Sequence, residues 1–252
     1  MSEKKITKVS GGENTPQRST FVPTAEAKVQ AGKLRKQGII LWVLAVVAQI
    51  GAMLLLFKKD PEIALSTGTR IALIAILLVD LILLIAGSMF WKKANRLDPA
   101  SKKESVKFFF QNQLGVVAAV IAFLPVVILA FIKKEYLVGA IAALFMVGGG
   151  VASADFNPPS VEEYTEQTSR VEELTGGNNV YWTKSGTKYH IYQSCSHINT
   201  DRTDEIFSGT VVQARALKNI TELCKTCENK AQKEKGLVKS ISDQVKKNVP
   251  DE

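Results

Sequence analysis

Three cysteines make up the entire thiol complement of this 252-residue chain, and all of them fall between residues 195 and 227. Cys195 is followed, after 28 residues, by Cys224-Lys225-Thr226-Cys227. The chain's two histidines flank the first thiol, His190 on one side and His197 on the other. Three thiolates and one imidazole complete the tetrahedral sulfur and nitrogen set that Zn2+ favours. Spacing alone leaves either His190 or His197 as the nitrogen donor. The Cys-x2-Cys pair is the strong part of the pattern, because so short a spacing lets both sulfurs reach one ion. Thiol redox exchange is the other chemistry open to such a pair, but it calls for a surrounding βαβ unit, and none is read here. A site whose four positions are all filled by protein has no place for water, so the ion is expected to be structural and the protein not an enzyme. No nucleophile–base pair or phosphate-binding loop stands elsewhere in the sequence.

Residues of this kind need a scaffold to hold them. Val180-Tyr181-Trp182-Thr183 and Lys188-Tyr189-His190-Ile191 read as strands flanking the turn Lys184-Ser185-Gly186-Thr187. Ser208 to Asn219 reads as a short helix, capped by Ser208 or Thr210, with Val211, Ala214 and Leu217 on one face. A hairpin, a helix and a knuckle make a small α+β domain over residues 180–228. Domains of about 50 residues rarely hold together on apolar burial alone. Metal binding would add its free energy to folding. Residues 156–179 are expected to be a linker or polar helix: Asn157-Pro158-Pro159-Ser160 breaks the chain, and Gly176-Gly177-Asn178-Asn179 ends the acidic stretch. Residues 229–252 are read as a basic tail helix in which Leu237, Ile241 and Val245 recur every four residues. The tail is either a solvated helix with a weak apolar stripe or a basic amphipathic helix lying on the inner leaflet.

The string Val180-Tyr181-Trp182-Thr183-Lys184-Ser185-Gly186-Thr187-Lys188-Tyr189-His190, then Cys195, a helix and Cys224-x2-Cys227, resembles the Ada-type metal-binding domain. Close variants with a Tyr-His…Cys…Cys-x2-Cys pattern are appended to bacterial nucleases, competence-type proteins and uncharacterised membrane proteins. The resemblance covers residues 180 to 228 and implies His190, Cys195, Cys224 and Cys227 as the zinc ligands, with His190 preferred to His197. The Ada domain proper uses four cysteines, one of them a methyl acceptor. Histidine at the first position here speaks against thiolate methyl transfer and for a structural site. Leu223 stands where such domains often carry a proline before the knuckle.

Most of the remaining chain is apolar. Four runs, Gly38 to Phe57, Thr69 to Trp91, about Phe108 to Ile132, and Tyr136 to Ala154, are each close to the roughly 20 residues a membrane helix needs. The expected architecture is an all-α membrane domain of four transmembrane helices over residues 38–155, joined to the zinc domain. Pro125 lies inside the third run, where neighbouring helices can re-satisfy a freed carbonyl. Gly148-Gly149-Gly150 suits close helix packing. Residues 1–37 lack the short apolar core of a signal peptide and are expected to form a disordered cytoplasmic N-terminus. Lysine and arginine crowd the segment before the first run and the loop between the second and third. The positive-inside rule puts both on the cytoplasmic side of the inner or plasma membrane, and four crossings put the C-terminus there too. Unpaired thiols agree, since they suit a reducing compartment.

Asp80, near the middle of the second run, is an intramembrane carboxyl and so a functional candidate. Gln49 sits at similar depth in the first run and is expected to hydrogen-bond to it. Such a pair serves as glue between helices or copies, or handles ions. Residues 156–252 carry 13 basic and 14 acidic side chains, whereas residues 1–155 carry 19 and 10. The chain's excess positive charge thus belongs to the membrane flanks and faces anionic lipid. Nucleic acid is unfavoured as a partner, because a nucleic-acid module shows its own basic patch. The leading expectation is a membrane protein presenting a structural-zinc module for recognition, sensing or scaffolding, with a protein partner or a second copy. The alternatives are a small transporter or channel subunit built on Asp80, and a membrane-tethered nucleic-acid binder.

Overall fold

A computed structural model describes residues 5–8, 21–58, 60, 62–218 and 220–248, the side chains of 5, 8, 239 and 241–248 excepted. The chain divides into two compact units, Pro23–Ser160 on the one hand and Met1–Val22 with Val161–Glu252 on the other.

Pro23–Ser160 is helical: α1 (Ala25–Phe57), α2 (Thr67–Leu97), α3 (Ser105–Ile132) and α4 (Tyr136–Ser153). All four are long and apolar enough to cross a membrane. Thr24 opens α1 by accepting the Ala27 N–H at 3.1 Å, and Ser66 opens α2 by accepting that of Thr69 at 3.2 Å. On α1 most of the buried positions are small, Gly38, Ala45 and Ala52 among them, while Ile39, Val43, Val47 and Leu54 are exposed. Lipid favours this order, because close backbone approach rather than apolar burial holds helices together there. A Cβ placed on Gly38 would lie 2.9 Å from the carbonyl oxygen of Gly87, so α1 and α2 cross there almost backbone to backbone. Trp42 Nε1 spans the same interface to the Leu84 carbonyl at 3.2 Å. α3 continues through Pro125. It ends in a Schellman turn: Lys134 takes φ 59°, and the Glu135 N–H reaches the Ala130 carbonyl at 2.9 Å. The buried Glu135 carboxylate then accepts from Arg70 Nε at 2.9 Å and from the Leu65 N–H at 3.0 Å, fastening the start of α2 to the start of α4.

The second unit contains β1 (Lys5–Lys8), α5 (Val161–Thr175), β2 (Asn179–Thr183), β3 (Lys188–Tyr189), β4 (Glu205–Thr210), α6 (Val211–Lys218), β5 (Glu222–Leu223) and α7 (Lys225–Asn248). One sheet has the order β1-β4-β2, with β1 parallel and β2 antiparallel to β4. β3 and β5 pair in parallel, and a mutual bridge between Tyr181 and His190 links β2 to the end of β3, both bonds 2.7 Å. The core is Val180, Trp182, Ile206, Val211, Ala214 and Ile220, each at most 1 % exposed.

Several expectations are corrected here. The segment before residue 38 is not wholly disordered. Lys5–Lys8 is a strand and α1 starts at Ala25, because Thr24 caps it and the residues that follow are mostly good helix formers. Residues 1–4 and 9–20 of that expectation lie outside the described residues. Of the two readings of the 156–179 segment, the polar helix is the one found over Val161–Thr175, and it buries Tyr164 and Val171 within the second unit. The short helix begins at Val211, since Ser208 to Thr210 complete the unexpected strand β4. Thr210 is its cap, in a reciprocal box with Gln213 (3.2 Å from the Gln213 N–H to Thr210 Oγ1, 2.8 Å from the Thr210 N–H to Gln213 Oε1). Leu217, expected on the buried face, is exposed. The inward positions three and four residues after Val211 are Ala214 and Arg215, and Leu217 points away. In α7, Leu237 is exposed, and the side chains of Ile241 and Val245 lie outside the described residues.

Candidate metal centre

His190 follows β3 directly, and its backbone is held by the two reciprocal hydrogen bonds with Tyr181. Cys195 sits in a tight turn: its N–H reaches the Tyr192 carbonyl at 3.2 Å, and its own carbonyl accepts from Ile198 and Asn199 at 3.0 and 2.8 Å. Cys224 is tied to the same strand end, its N–H donating to the Tyr189 carbonyl at 2.9 Å. It is also the residue immediately before α7, and its carbonyl accepts the Glu228 N–H at 3.0 Å. Cys227 lies in the first turn of that helix.

These elements bring His190, Cys195, Cys224 and Cys227 together, with one donor atom from each lying within 4.8 Å of every other. Their exposures are 5, 7, 4 and 2 %, so the cluster is closed to solvent. All three thiols are free. His190 presents Nδ1, 3.6 Å from Cys227 Sγ. Bonds of about 2.3 Å to sulfur and about 2.0 Å to nitrogen give a regular tetrahedron edges of about 3.8 Å between sulfurs and about 3.5 Å from sulfur to nitrogen. The donor set and its spacing thus fit one four-coordinate metal ion.

The electrostatics point the same way. Burial, helped by the neighbouring His197, pushes the His190 imidazole down to about 4, so it is a neutral donor at ordinary pH. Burial drives the Cys227 thiol up to about 12, although the Tyr192 and Ile191 N–H groups oppose the change. A thiolate at that position therefore calls for a cation beside it. Burial also works against ionising Cys224, but the N–H groups of Cys227 and Thr226 outweigh it and lower that thiol. This sulfur takes the role of a helix cap at the positive end of α7.

His197 stays outside the cluster. It is exposed, and its Nε2 lies 3.1 Å from Thr226 Oγ1. Of the two intramembrane candidates, Asp80 is 0 % and Gln49 4 % exposed. No hydrogen bond joins them, and among the described residues both carboxylate oxygens and both amide atoms are without a partner. No family model matches the chain, and comparisons with curated proteins and with solved structures find no match either. The Ada-type resemblance accordingly rests on the residues between Val180 and Cys227 themselves.

Sequence reasoning missed Arg215, the largest buried charge of the unit. Its guanidinium is 0 % exposed, pairs with Glu163 at 2.5 and 3.1 Å, and lies 5.0 Å over the Tyr164 ring. With Arg170 on Glu228 at 2.8 Å, it clasps α5 to the helix that begins at the knuckle and to α6. The Thr210-x-x-Gln213 box was the available signal, because it fixes the start of α6 and so turns Arg215 inward.

Proposed function

We propose that this chain is a four-span protein of the inner or plasma membrane that presents a structural-zinc module on the cytoplasmic side for recognition, sensing or scaffolding, without catalysis of its own. The observation that carries this reading is the closed set of four buried protein donors. Three sulfurs and one nitrogen are the donors of structural zinc, and a filled shell leaves no position at which substrate or water would be activated.

The shared side of the two termini has its own support. Lys5–Lys8 forms a ladder with Glu205–Thr210, and the Phe21 N–H donates to Thr165 Oγ1 at 2.8 Å. A bilayer cannot run through a β-sheet, which supports reading the segment before α1 and the segment after α4 as lying on one face. Lysine and arginine placement, together with unpaired thiols, favours the cytoplasmic face. A second reading, ion or proton handling within the membrane, is favoured by the unpartnered and wholly buried carboxyl of Asp80.

Metal analysis of the full chain in detergent micelles tests the main reading. One zinc per chain is expected in the wild type and in His197→Ala, with loss in His190→Ala and in Cys224→Ser. Wild-type protein that folds without metal, or a disulfide between any two of the three cysteines, would overturn it. Flux across vesicles that is unchanged in Asp80→Asn would remove the second reading.

A further inference from the structure

β1 differs from the other strands of its sheet in what it contributes. β2 and β4 bury Val180, Trp182 and Ile206, whereas Ile6 remains 47 % exposed. β1 joins the sheet through backbone pairing, Lys5 opposite Glu205 through Lys8 opposite Ser208, in the parallel sense that is the less stable per residue. Of its described side chains, Ile6 and Thr7, neither is buried. Removing it would leave that core in place and bare one side of β4, a row of N–H and C=O groups of the kind that accepts an added strand. The start of β4 is acidic, with Asp201, Asp204 and Glu205 in close succession, and the Thr7 hydroxyl donates to the Glu205 carboxylate. The resident segment is basic, reading Lys4-Lys5-Ile6-Thr7-Lys8.

We propose that the β4 edge is a strand-acceptor site, held in cis by Lys5–Lys8, and that its partner is a lysine-bearing extended segment of another protein, which adds in the same parallel register when β1 leaves. The inference rests on reading the module as a recognition element and names the class of partner it takes. The resident strand acts as a built-in competitor, at the high effective concentration that a tether confers. Glu205 selects for the basic segment, and the backbone row supplies the affinity.

The test uses the full chain in lipid nanodiscs and a fluorescent peptide of residues Ser2–Ser10. A variant lacking residues 2–10 should bind the peptide saturably, on the order of tenfold or more tighter than the wild type does, since the wild-type site is already filled. A scrambled peptide should not bind, and Glu205→Lys in the truncated background should abolish binding. Absence of saturable binding, or equal binding by the Glu205→Lys variant, would overturn the proposal. A wild-type dimer that dissolves on truncation would also overturn it, by showing the occupant to be a second copy. Metal content is measured on every sample. A missing peptide interaction with one zinc retained condemns the acceptor site alone, whereas loss of zinc-dependent folding condemns the underlying reading. Should truncation itself unfold the module, trypsin cleavage at Lys5 and Lys8 decides: it should be slow in the wild type and fast in full-length Glu205→Lys, and equal rates would refute the docking.

Discussion

Glu163→Ala and Arg215→Met should not cost the same, although they break the same ion pair. The Arg215 side chain is 0 % exposed and that of Glu163 26 %. Deleting the carboxylate strands a guanidinium that stays charged in an apolar interior, and a buried charge left without its partner costs about 3–5 kcal/mol. Deleting the guanidinium leaves a carboxylate that water can reach. What is then lost is mainly two hydrogen bonds and the cation–π contact with Tyr164, about 1–2 kcal/mol. In the double variant no charge is stranded, so it should resemble Arg215→Met rather than the sum of the two singles. The assay is transfer of zinc from the full chain in micelles to a coloured chelator, under mild denaturant so that release follows opening of the module. At tenfold per 1.4 kcal/mol, Glu163→Ala should speed release roughly a hundredfold or more and Arg215→Met about tenfold. Release that is faster in Arg215→Met than in Glu163→Ala, or strictly multiplicative in the double variant, would refute this account of the clasp.

Acid should loosen the same unit. His190 is held neutral down to about 4, whereas the unfolded residue protonates near 6.5. The unfolded chain therefore takes up the proton first, and stability falls as pH drops from 6.5 toward 4. Melting temperatures that stay flat across this window would contradict the burial of that imidazole. In the membrane unit, Gly38→Ala sets a methyl against the Gly87 carbonyl and should cost about 1–3 kcal/mol, read as a lower unfolding temperature in micelles. An unchanged melt would mean that α1 and α2 do not cross there. Asp80→Leu removes two buried oxygens without partners and should raise the melting temperature of the membrane unit, by about 1–3 kcal/mol of stability. A lower melt would show that the carboxyl has a partner in the bilayer.

The parts that were legible in the sequence share one property: their signal is local. An apolar run between lysine pairs announces a membrane helix, and Cys224-x2-Cys227 announces a chelating knuckle, without reference to any distant residue. The three sulfur donors were readable for that reason, whereas the choice of His190 over His197 came from the Ada-type resemblance. β1 was not, because Lys-Ile-Thr-Lys is a polar tetrapeptide whose partner lies nearly 200 residues away, and only pairing makes it a strand. β4 was hidden differently: its last residues, Ser208 to Thr210, are also good helix caps, so the helix appeared to begin three residues early. Separately, reading Val211, Ala214 and Leu217 at steps of three placed Leu217 on the buried face, where the 3.6-residue period puts Arg215 instead. α5 was readable as an acidic polar helix, but not its docking, because its two inward residues, Tyr164 and Val171, lie seven apart on one helical stripe.

The ladder between the two ends of the chain also imposes an order on biogenesis. Lys5–Lys8 leaves the ribosome first, but its mate at Glu205 arrives after all four apolar helices have been made. At about 5–20 residues per second, the leading strand waits on the order of 10–40 seconds. Under the proposed four-span topology, pairing is then possible only if every hydrophobic hairpin has inserted with the right parity. A misthreaded chain would keep its first residues on one face and their mate on the other, open to proteolysis. Closure of the sheet is in this sense a receipt for correct insertion.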